Sequence, residues 1–209
     1  MCGNYLKIQQ EYLQRAWSRP LQDLEQGIPA EYRQECLHFR AFGHPCALCK
    51  GSVLLDDQSA TGPEGLLVAM YASCVTAKPV RIHPPASFRE LPGSMPYQAA
   101  FTANAERILI PSVPAIQRKQ QEIISSFSGH LNPDAESGDF SFTLHPLPRV
   151  PLYYIFHLPD EEFPAAVTCL FAANALDFMP LDGLADVAEY TSKRIQSIAA
   201  GSVGQLPKD

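Results

Sequence analysis

The residues best equipped for chemistry fall into three groups. His157 stands three positions before the consecutive carboxylates Asp160, Glu161 and Glu162. An imidazole beside carboxylates can share acid–base work or bind a divalent cation. That chemistry needs desolvated, converging groups, and a run of adjacent charges more often faces water. Arg89, in Phe88-Arg89-Glu90-Leu91-Pro92-Gly93, is the cation that could line a pocket with them. The structural alternative is that the acidic run ties down Arg89 or Arg149, or that Arg89 and Glu90 form an ordinary loop ion pair.

The remaining group is Pro45-Cys46-Ala47-Leu48-Cys49-Lys50-Gly51. A CxxC followed by Lys-Gly has the form of half a zinc or rubredoxin knuckle, whose turn aims both thiolates at one metal. Zinc or iron would need further ligands, and Cys36, His38 or His44 are the nearby residues able to complete the set. Half a knuckle is a weak signal. Cysteine is also a small, commonly buried residue, and packing on a hairpin is the weightier reading. A thioredoxin-like site fits less well, because a turn rather than a helix follows the pair. His83, His130 and His145 lack ligand spacing, and Cys74 and Cys169 lie in apolar segments that read as core. The chain contains no glycine-rich phosphate loop, GxSxG elbow or HExxH.

These groups must be positioned by alternating elements of both kinds. Tyr5, Ile8, Tyr12, Trp17, Leu21 and Leu24 recur at helical spacing, with Pro20 as a break. Residues 36–55 read as a small antiparallel meander with turns at Gly43-His44-Pro45 and Lys50-Gly51. Thr61-Gly62-Pro63-Glu64 starts a helix that is apolar nearly all round through Val75, and so central. Val80–Ile82 reads as a short strand. Tyr97, Phe101, Ala105 and Ile108 form one helical stripe and Val113, Ile116, Gln120, Ile123 and Phe127 another, with Arg118 and Glu122 paired outside. Phe140, Phe142 and Leu144 alternate with Ser141, Thr143 and His145 as a half-buried strand. Val150–Phe156 and Ala166–Phe171 are two buried strands around the acidic corner. A last helix turns Leu181, Leu184, Val187, Ile195 and Ile198 inward, with Asp182 and Asp186 near its positive end. The predicted fold is α+β, a mixed and largely antiparallel sheet packed by about five or six helices. Residues 1–200 are expected to form a single domain and 201–209 a flexible tail.

Composition narrows the function classes. The 209 residues carry 22 acidic and 16 basic side chains, a net charge of -6, without a Lys/Arg cluster. This argues against a nucleic-acid or anionic-membrane surface. No apolar run approaches the roughly 20 residues that span a bilayer, and the polar N-terminus lacks a signal peptide's apolar core. A cytoplasmic protein is expected, with its six cysteines as reduced thiols or metal ligands rather than disulfides. The 19 prolines punctuate the chain between elements.

Three stretches, the Leu66–Val75 helix, the Phe88–Gly93 turn and the segment from Leu147-Pro148-Arg149-Val150-Pro151 through Asp160-Glu161-Glu162-Phe163-Pro164 to Leu170-Phe171, carry a family likeness. On them the chain resembles the family catalogued as domain of unknown function 3786. The resemblance implies an anaerobic, cytoplasmic setting and partnership with redox or corrinoid proteins, since some members carry a cysteine-rich cluster module. That module's four spaced cysteines are missing here, so no cluster is carried over. The expected function is a non-catalytic accessory or binding domain. Its alternatives are a small metal-binding protein using Cys46 and Cys49, and an enzyme built around Arg89, His157 and Asp160.

Overall fold

The apolar run Val150–His157 becomes the third strand of a five-stranded antiparallel sheet, in the order β6 (Ala86–Ser87), β10 (Ala166–Phe171), β9 (Val150–His157), β8 (Phe140–Leu147) and β7 (His130–Leu131). The chain is described by a computed structural model over residues 2–132 and 138–201. The predicted tail lies almost entirely outside them. A second sheet is a simple meander: β1 (Glu31–Arg33), β2 (Cys36–Ala41), β3 (His44–Cys49), β4 (Val53–Leu55) and β5 (Gln58–Ser59). The α+β class holds, and among the described residues the mixed, largely antiparallel sheet expected from the sequence is two sheets built of antiparallel pairs. Short loops account for this within β1–β5 and within β7–β10, since parallel pairing needs a crossover of a dozen or more residues, whereas β6 joins β10 from far along the chain.

The sheets meet at the β2–β3 turn. It is one residue earlier than the Gly-His-Pro signal suggests: Phe42 and Gly43 hold φ of 51° and 83°, a two-residue hairpin of the primed type. Phenylalanine rarely adopts positive φ. Here its ring is fully buried and its N–H donates to the Pro146 carbonyl at the end of β8. Burial and that bond offset the backbone cost and join the two sheets into one core.

Helix α3 (Pro63–Cys74) begins at Pro63 as the sequence signals, and buries Gly65 and Leu67–Ala72. It packs on α1 (Cys2–Trp17) and on the C-terminal helix, Leu181–Ala199. At Gly65 the approach is so close that a Cβ would stand 2.0 Å from the Ala60 carbonyl oxygen. Pro20 divides α1 from α2 (Leu21–Gly27) as expected. Two arginines satisfy helix C-termini. Arg19 donates to the Ala72 carbonyl of α3 and to that of Val75, which follows its last residue, and Arg149 to those of Gln26 and Gly27 in α2 and to Lys78. Terminal helix carbonyls lack intrahelical donors and carry partial negative charge, so a guanidinium is their natural partner.

Several local expectations change. Val80–Ile82 is an irregular connection rather than a strand. It is fastened by the Arg81 N–H to Asn174 Oδ1 and by the Ala173 N–H to the Arg81 carbonyl. Ser141 and Thr143 are as buried as the phenylalanines beside them. Each keeps a hydroxyl partner, Tyr153 and Asn132 respectively, so β8 is covered on both faces. Glu122 pairs with Lys119 at 2.7 Å, not with Arg118, because a break at Lys119 separates helix Val113–Arg118 from helix Gln120–Ser126. The Tyr97 stripe is an irregular helical run in which 3₁₀ turns flank Gln98–Phe101 and five π-helical residues, Thr102–Glu106.

Candidate functional site

The expected knuckle does not assemble. In the extended β3, residues three apart point to opposite faces. Cys46 faces the core, 3% exposed, opposite Phe39 and Leu55. Burial pushes its thiol up to about 12, away from the thiolate a metal requires. Cys49 faces outward and is joined to Cys36 by a disulfide. That corrects the expectation of reduced thiols for this pair and removes both sulfurs from a metal set. His44 turns to Asp56, its Nδ1 against Oδ2. Among the described residues no group of three or more His, Cys, Asp or Glu side chains could hold a metal ion.

The corner residues are not brought together either. Asp160 Oδ1 accepts the N–H groups of Glu162 and Phe163, and its own N–H donates to the Phe163 carbonyl. These backbone donors stabilise the carboxylate and lower its pKa. Glu161 and Glu162 are exposed. His157, also exposed, pairs in register with Ala166 at one end of β10. Arg89 follows Ser87, which pairs with Leu170 four positions along that strand, or about 13 Å away at 3.3 Å per residue. Glu90 caps its own turn by accepting from the N–H and hydroxyl of Ser87, rather than pairing with Arg89. Arg149, the other candidate partner of the acidic run, is committed to the carbonyls of Gln26, Gly27 and Lys78.

A different set of carboxylates does converge. Asp182, Asp186 and Glu189 occupy one face of the C-terminal helix at intervals of four and three residues. They line a cleft of about 190 Å³ whose other wall is Tyr97, Ala100, Phe101 and Asn104. The small side chains of Ala100 and Ala185 leave the space open where the two helical segments cross. Asn104 Nδ2 donates to Glu189 at 2.9 Å, and Lys193 pairs with the other oxygen of Glu189 at 2.8 Å. Among the described residues Asp186 has no such donor. Desolvation, then repulsion from Glu189 and Asp182, pushes its carboxyl up to about 6, with Lys193 opposing the shift. Asp186 is nonetheless an exposed residue, like Asp182, so water screens much of that repulsion.

The walls are held in place from within. The irregular run frees carbonyls that a regular helix would pair, and the C-terminal helix supplies their donors. Ser192 Oγ donates to the Ala105 carbonyl at 2.6 Å and Gln196 Nε2 to that of Ile108 at 2.6 Å. Tyr154 OH stands 3.1 Å from Ser192 Oγ in the buried layer beneath. Glu106, raised by burial, accepts the Cys169 N–H at 3.1 Å and anchors the run to β10. Phe101 also stacks on Phe88, ring centroids 4.2 Å apart, which ties the cleft to the Phe88–Gly93 turn. Sequence reading found the Tyr97–Phe101 stripe and the placement of Asp182 and Asp186, but assigned both to packing and to the helix dipole. The usable signal was the i, i+4, i+7 spacing of three carboxylates on a helix facing an aromatic stripe.

One family's sequence pattern matches residues 20–194, a domain of unknown function, DUF3786. The chain belongs to the DUF3786 family. No curated protein and no solved structure matches it. Within this DUF3786 chain the match takes in both sheets, the acidic corner and the cleft carboxylates Asp182, Asp186 and Glu189. Helix α1 lies outside it.

Proposed function

We propose that this chain is a non-catalytic accessory or binding domain, and that the Asp182–Asp186–Glu189 cleft is where it engages a cationic group of its partner. One observation carries the reading: three carboxylates and two aromatic rings, Tyr97 and Phe101, line a single concavity. Carboxylates supply charge pairing, and ring faces attract a cation placed over them. Size selects the ligand class. At about 190 Å³ the cleft is smaller than the 300–1,000 Å³ typical of cofactor and metabolite pockets, and suits one lysine, arginine or amine group. The redox or corrinoid partner implied by the family resemblance sets the class of protein to try first.

Calorimetric titration with a short arginine peptide and its glutamine counterpart tests the reading. The basic peptide should bind, weaken with added salt, and lose roughly tenfold in affinity, about 1.4 kcal/mol, in an Asp186→Asn/Glu189→Gln variant. Equal binding of the neutral peptide, or an unchanged affinity in the variant, would sink the proposal.

A further inference from the structure

We propose that Cys36 and Cys49 are a redox-active pair: a dithiol reductant opens their disulfide and reoxidation recloses it, the domain staying folded throughout. This goes beyond the binding reading and does not depend on it.

The hairpin itself holds the two cysteines together. Cys36 and Cys49 are the outermost of six register pairs between β2 and β3, with Cα atoms 4.4 Å apart. That is the spacing of a non-hydrogen-bonded antiparallel pair, which the ladder imposes whether or not the sulfurs are joined. The loop that the disulfide closes is therefore already closed by the ladder and by the Phe42–Gly43 turn. Opening the bond leaves two thiols held side by side, an arrangement that favours rapid reclosure over pairing with other thiols.

Access distinguishes this pair from the buried sulfurs. Cys36 and Cys49 are half-buried on the face of the meander away from Cys46, between the exposed turns at Gln34–Glu35 and Lys50–Gly51. Cys46 and Cys169 are 3% and 1% exposed, beyond the reach of a reductant. His38 lies two residues from Cys36 on the same face of β2, and its buried Nε2 has no hydrogen-bond partner among the described residues.

The exchange balances with a dithiol as co-reactant. Its thiolate attacks one sulfur, the Cys36–Cys49 bond breaks, and a mixed disulfide forms with a thiolate left on the chain. The second thiol of the reductant then displaces the remaining cysteine. Two electrons and two protons reach the chain, which ends with two thiols, and the reductant leaves as a cyclic disulfide.

The fold includes a reporter. Trp17, the sole tryptophan, donates its indole N–H to the Cys49 carbonyl at 2.8 Å, and Gln10 Nε2 donates to the Gly51 carbonyl at 2.9 Å. Helix α1 is thus fastened beside the disulfide, and disulfides quench nearby indole emission.

The full chain should be equilibrated in dithiothreitol redox buffers, then alkylated under native conditions and mapped by mass. Cys36 and Cys49 should gain label together on reduction while Cys46 and Cys169 do not. Trp17 emission should rise with the same midpoint and return on reoxidation, with circular dichroism unchanged. A Cys36→Ser/Cys49→Ser variant should keep the fold and lose the emission change, whereas Cys46→Ala should retain it. Resistance of the native disulfide to excess dithiothreitol, or loss of folded signal on reduction, would overturn the proposal. So would thiols that stay reduced in oxidised buffer.

Discussion

Two carboxylate triplets in this molecule differ in almost everything except residue type. Asp160, Glu161 and Glu162 are consecutive, sit on an exposed turn, and include a carboxyl whose pKa is lowered by backbone donors. Asp182, Asp186 and Glu189 are spread over two turns of one helix, line a cleft, and include a carboxyl raised to about 6. Adjacent residues on a turn fan out into water, whereas helical spacing stacks side chains on one face. Crowding of like charge follows from the second arrangement only. Proximity in the chain is therefore a poor guide to convergence in space.

The comparison can be tested by five substitutions, taken in order of decreasing effect. Arg149→Ala is the largest. It removes donors from three carbonyls, and should lower unfolding free energy by about 3 kcal/mol in a denaturant titration. A loss no greater than that of a corner variant would show that the helix carbonyls do not depend on Arg149.

Asp186→Asn comes next and has the opposite sign. A carboxyl raised from 3.8 to about 6 holds its proton more tightly when folded than when unfolded. Its favourable contribution is complete below the unfolded value and disappears as pH rises through 6. The neutral amide escapes the repulsion, and should stabilise the protein by about 1 kcal/mol at pH 7, a figure discounted for exposure to water. The gain should shrink below pH 5. A loss of stability at pH 7 would remove the crowded-cleft account.

Asp160→Ala removes an acceptor from two backbone N–H groups and should lower Tm by roughly 1–2 °C. Because the pKa of Asp160 is lowered on folding, its contribution is present above the unfolded value and disappears as pH falls through the folded one. Carboxyl NMR titrations would show the contrast directly, with Asp160 below the usual aspartate range and Asp186 near 6. The smallest effect belongs to Glu161→Gln and Glu162→Gln, each expected within about 0.5 kcal/mol of the parent protein. A larger change at either would mean the corner has a partner in the fold.

The fold was more legible than the site. The Pro63 helix start, the Pro20 break, the strands around the acidic corner and the inward face of the last helix follow from periodicity and turn residues, which act over a few positions. The 95–112 run was harder. Its apolar stripe is helical, but its π and 3₁₀ turns are maintained by Ser192 and Gln196, some ninety residues away. The CxxC misled for a related reason. Three-residue spacing converges on a tight knuckle and diverges on an extended strand, so the meaning of Cys46 and Cys49 depends on the backbone beneath them.

By itself, then, the sequence determined the α+β class, the positions of most elements, the outward placing of the acidic run and the family likeness on which membership rests. Each depends on local propensity, hydrophobic period or composition. Only the tertiary structure decided that Cys36 pairs with Cys49, that Arg149 serves helix carbonyls rather than carboxylates, and that Asp186 shares a cleft with Tyr97. Those outcomes depend on contacts between elements 13 to more than 100 residues apart in the chain. Such contacts are set by how faces pack, which no short window of sequence contains.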